Sequence, residues 1–122
     1  MNEEAAVAAY PALAGVVALR EAGWTFVHRN VVDHVPTTIE GFRLWPGGWI
    51  DAVRVLGDAE AMALRTDSSE PPGIVWEKTG TLADVTEALQ TLPAPDHPLA
   101  PRLVRGIGPT LRITMTWNGV TR

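Results

Sequence analysis

The sequence predicts a small α+β domain: an N-terminal helix, an antiparallel β-meander of about five strands, a second helix and a C-terminal strand. Three observations predict it. An apolar run over 5–19 and a helical repeat over 82–92 bracket the chain's middle. That middle consists of short runs rich in β-branched and aromatic residues, joined by tight turns, and strands so joined must run antiparallel. Strands grouped between helices, without alternating βαβ units, give α+β and not α/β. With 122 residues, the chain is expected to form one domain spanning 1–122.

The first helix is expected to stop near Ala22 and Gly23, with Arg20 in its last turn. Tyr10, Leu13, Ala14 and Val17 share one side at helical spacing, and Val16 and Leu19 widen the apolar surface, so heavy burial is expected. Pro11 opens or kinks this helix. Residues 25–32 (TFVHRNVV) read as a strand and 33–36 as a turn. Strands over 38–45 and 49–56 flank Pro46-Gly47-Gly48, whose composition suits a hairpin turn. A turn at 57–59 leads into a strand over 60–66, and the polar loop DSSEPPG separates that from a strand over 74–79.

Charge selects the register of the first hairpin. Setting Trp45 opposite Trp49 also sets Arg43 opposite Asp51 and Glu40 opposite Arg54, two cross-strand pairs of opposite sign. A hairpin closed around Asp58-Ala59 sets Val53 opposite Leu64 and Val55 opposite Met62. One sheet face then carries Trp45, Trp49, Val53, Val55, Met62 and Leu64 and is the expected bed for the helices. The other carries Phe42, Leu44, Ile50, Ala52 and Leu56 with Arg54 and Arg65, which is too apolar for plain solvent surface.

Thr81 and Asp84 resemble a capping box, and Leu82, Val85, Leu89 and Leu92 repeat along one helical face until Pro93. Residues 93–101 (PAPDHPLAP) are expected to be an extended surface connector. Residues 110–117 alternate Leu111, Ile113, Met115 and Trp117 with polar neighbours, the pattern of a half-buried or edge strand.

Composition narrows the chemistry. The chain has no cysteine, which removes disulfides, thiolate metal sites and cysteine nucleophiles. Its net charge is −4, but residues 101–122 carry Arg102, Arg105, Arg112 and Arg122 and no acid. A solvated face explains those arginines better than nucleic acid does, and polyanion binding through them is a further alternative. The run 5–19 follows Glu3 and Glu4, is short for a bilayer and contains Pro11, so neither an export nor a membrane segment is expected. The setting expected is the cytoplasm.

No catalytic constellation emerges. His28 and His34, six apart with Asp33 beside one of them, could begin a metal site, but His28 falls in a predicted strand and His97 between prolines, so unrelated histidines are the better account; Ser68 and Ser69 lie in a loop without a nucleophile elbow, and the glycines at 106 and 108 match no phosphate loop. Neither a cofactor nor a metal is expected. Asp51 and Glu77 sit in predicted strands and, with Arg54, form the one acid–base cleft worth carrying as an enzymatic or small-ligand alternative.

Residues 74–95 (IVWEKTGTLADVTEALQTLPAP), with WIDAVRV before them, resemble small actinobacterial proteins of unknown function. The resemblance implies a bacterial setting and carries over no catalytic residue. The element order more loosely resembles secretion-chaperone-like domains. The leading expectation is a non-enzymatic protein- or peptide-binding module, adaptor- or chaperone-like, and homodimeric. Its candidate binding residues are Phe42, Arg43, Leu44, Trp45, Trp49, Ile50, Arg54 and Arg65.

Overall fold

A computed structural model describes residues 13–32 and 35–108, leaving out the side chains of 28–32 and 35–37. The expected helix start at Pro11, the 33–34 portion of the first turn and the strand over 110–117 lie outside the described residues. The elements run α1 (Leu13–Glu21), β1 (Thr25–Val32), β2 (Val35–Leu44), β3 (Ile50–Gly57), β4 (Glu60–Thr66), β5 (Gly73–Gly80), α2 (Leu82–Thr91) and β6 (Gly106–Ile107). All six strands join one antiparallel sheet in sequence order. The α+β class and the helix–meander–helix order are as expected.

α1 ends where its glycine requires. The Trp24 amide donates to the Leu19 carbonyl and the Gly23 amide to Arg20, both at 3.1 Å. With Gly23 at φ +109, this is a Schellman stop. It delivers Leu19 and Trp24 together into the core. α1 is less buried than its composition suggests. Leu13 and Val16 pack against the core and Leu19 is fully buried, whereas Ala14 is exposed. α1 also leans on α2, where a Cβ on Gly15 would stand 2.0 Å from the Thr86 hydroxyl oxygen.

The first hairpin has the register that charge selected, with Glu40 opposite Arg54 and Arg43 opposite Asp51. Gly47 and Gly48, at φ +87 and +86, make its tip, and the Trp45 amide donates to the Trp49 carbonyl at 2.8 Å.

The second hairpin corrects the expectation. Val53 faces Ala63 and Val55 faces Ala61, one residue away from the predicted pairing, because a bulge intervenes between Val55 and Gly57. Since side chains alternate, a one-residue slip exchanges faces. Met62 and Leu64 therefore leave the helix side, and Arg65 joins it.

α2 begins at Thr81, whose hydroxyl accepts from the Asp84 amide at 3.1 Å, and the Leu82 amide donates to the Asp58 carbonyl in the β3–β4 turn. This seats Leu82, Val85 and Leu89 on Val53, Val55, Ala61 and Ala63. Each such leucine contributes roughly 1.5–3 kcal/mol on burial. The proline-rich connector is wound into turns, not extended. His97 organises it: its amide donates to Ala94, its carbonyl accepts from Ala100, and Nδ1 accepts from the Leu99 amide at 3.0 Å. Beyond it, β6 pairs with β5, a short strand the glycines at 106 and 108 did not signal.

Candidate functional site

At the end of the sheet beyond the core, the helix-side face carries a row of charged residues one strand apart: Arg43 on β2, Asp51 on β3 and Arg65 on β4. Arg65 is 0% exposed and Asp51 3%. Two such groups survive burial because their hydrogen-bonding needs are met. Arg65 Nε donates to Asp51 Oδ1 at 2.6 Å and Nη2 to Oδ2 at 2.9 Å, a bidentate fork. Its Nη1 donates to the Pro93 carbonyl at 2.6 Å, tying β4 to the chain just past α2. The Trp45 indole N–H donates to Asp51 Oδ2 at 3.0 Å. Asp51 is thus held by β4 and by Trp45 just past the end of β2.

Arg43 stands differently. Though directly across from Asp51, it makes no ion pair with it, because that carboxylate is already held by Arg65 and Trp45. Its guanidinium instead stacks over the Trp45 ring, 4.0 Å from the centroid. The Arg65 guanidinium lies 5.7 Å from the same ring. Next to this row, the hairpin tip approaches the β4–β5 loop, with a Cβ on Gly48 placed 2.9 Å from Ser68 Cβ. That loop is held by Asp67, whose Oδ1 accepts from the amides of Gly73 (2.8 Å) and Ser69 (3.0 Å). The Gly73 amide above all, then the backbone amide and hydroxyl of Ser69, holds the Asp67 carboxyl below its usual value of 3.8 against the opposing effect of burial.

The eight candidate binding residues therefore divide. Arg43, Trp45 and Arg65 lie on the helix side, and Trp49 is half-buried at the tip. Phe42, Leu44, Ile50 and Arg54 lie on the opposite face, where Arg54 donates to Glu40 Oε2 at 2.8 and 3.1 Å. Arg65 is fully buried, so it supports the site and does not present itself to a ligand. Leu44 is 57% exposed and Leu56 42%, while Phe42 and Ile50 are half-buried.

The acid–base cleft does not form. Asp51 points to the helix side, whereas Glu77, opposite Leu64, and Arg54 belong to the other face. Among the described residues no group of three or more His, Asp or Glu side chains gathers as a metal would require. Among them, too, no helix is long and apolar enough to cross a membrane. Sequence reasoning missed the strong exposure of Leu99, Leu103, Val104 and Ile107. Its signal was present in apolar residues scattered among prolines and arginines.

No protein-family model, curated protein or solved structure matches the chain, so its chemistry rests on these residues alone.

Proposed function

We propose that this chain is a non-enzymatic, cytoplasmic protein- or peptide-binding module whose first partner is a second copy of itself. The observation that supports it is Leu44, an exposed leucine beside half-buried Phe42 and Ile50 on the sheet face opposite the one where α2 packs. A strand pair with apolar residues on both faces needs contact on both. Charge favours a copy as occupant. The chain carries −4, but Glu40 and Arg54 neutralise each other at the centre of this face, so two apposed copies meet there without like-charge repulsion.

Sedimentation equilibrium across a concentration series tests the reading. Reversible dimerisation is expected, abolished by Leu44→Lys. A strictly monomeric chain, or a dimer indifferent to Leu44→Lys, contradicts it.

A further inference from the structure

The row Arg43–Asp51–Arg65 holds two guanidiniums and one carboxylate. Among the described residues that carboxylate is held by Arg65 and Trp45, and Arg43 stacks on the Trp45 ring. We infer that Arg43, stacked on Trp45, is a receptor for a carboxylate supplied by a bound peptide, which completes the row as its missing second acid.

The stack is what makes the receptor. A free arginine loses much rotamer freedom on binding an anion, whereas a planar guanidinium already laid on an aromatic face has lost it beforehand. Cation–π attraction leaves the in-plane N–H donors open, and these match a carboxylate's two oxygens. The platform is itself fixed, because Asp51 holds the indole N–H and a fully buried Arg65 holds Asp51. Arg43 is half-buried and so remains reachable. A carboxylate fits better than a phosphate: the row has a single unit of surplus positive charge, and a dianion would meet the neighbouring Asp51. Arg43 is on the helix side of the sheet, so this site is separate from the association face proposed above.

The test follows the Arg43 Nε–H and Trp45 Nε1–H resonances of the full chain by nitrogen-15 NMR at constant ionic strength. The probes are a capped glycine tripeptide with a central Glu, its Gln counterpart, an uncapped triglycine with a free C-terminal carboxylate, and inorganic phosphate. The Glu and free-carboxylate arms distinguish a side-chain from a terminal source. A saturable Arg43 shift is expected with at least one of them, none with the capped Gln peptide, and an affinity at least about tenfold weaker in Arg43→Gln. Arg43→Lys keeps the charge but lacks the planar fork, and it too should weaken binding. An equal response to the Gln peptide, retention of affinity in Arg43→Gln, or tighter binding of phosphate than of either carboxylate would overturn the inference. Because dimerisation is read separately by Leu44→Lys, failure here leaves that reading standing, and the reverse holds as well.

Discussion

The two faces of the sheet are built on different terms. Under the helices lie Val53, Val55, Ala61 and Ala63, small or branched side chains closed over by Leu82, Val85 and Leu89. The charged pair on that side, Asp51 and Arg65, is sealed from water and engaged through a fork, an indole and a carbonyl. On the other face Phe42, Ile50, Met62 and Leu64 are half-buried, Leu44 stands exposed, and Glu40 and Arg54 pair at the centre. The difference teaches which forces specify each side. A buried charge tolerates no missing partner, so the helix side is fixed by folding. An exposed leucine adds little to folding, so folding alone does not account for Leu44 on the other side.

Substitutions should separate these roles. The largest effect belongs to Arg65→Met, which strips the buried Asp51 carboxylate of its bidentate partner. A loss of about 3–5 kcal/mol is expected, read from the urea midpoint. Replacing the pair together, Asp51→Leu with Arg65→Met, should recover much of it; a double variant as unstable as the single would show that Asp51 is not the liability.

Next comes Gly15→Ala. Its Cβ would fall 2.0 Å from Thr86 Oγ1 and 2.5 Å from Thr86 Cβ, forcing the helices apart. About 1–3 kcal/mol should be lost, and only part returned by adding Thr86→Ala, which removes the nearer atom but not the further. Strict additivity of the two changes in thermal unfolding would argue that the helices do not meet there.

A smaller effect depends on pH. Asp67 is ionised more readily in the folded chain than in the unfolded one, so its contribution is present above the ordinary aspartate range and is lost as pH falls through its depressed folded value. Wild type should therefore exceed Asp67→Asn in stability near neutrality, with the gap closing below about pH 4. A gap that stayed constant on acidification would show that the β4–β5 loop does not depend on the carboxylate.

Much of this was legible beforehand. Two charge pairs selected the β2–β3 register, Gly23 marked the end of α1, and Thr81 and Pro93 bracketed α2. The β3–β4 register was lost to one extra residue next to Gly57, and a glycine at a strand end is the usual sign of a bulge. The charge argument that settled the first hairpin would also have settled the second. The slipped register sets Asp51 opposite Arg65, whereas the predicted one sets it opposite Thr66. The predicted register puts Arg65 on the face away from Asp51, so the Arg43–Asp51–Arg65 row follows only from the slipped one. The turns about His97 had no comparable signal, because they rest on contacts between backbone groups and a ring nitrogen that composition does not encode.

Leu44→Lys should change stability least, by less than about 1 kcal/mol, while acting on association. The most direct test of that division is a dilution series on methyl-labelled protein. The Leu44 and Ile50 methyl resonances should move with concentration, and those of Val53 and Val55, beneath the helices, should stay fixed. Movement confined to Leu99, Leu103, Val104 and Ile107, or none at any methyl, would contradict the assignment of the Leu44 face to self-association.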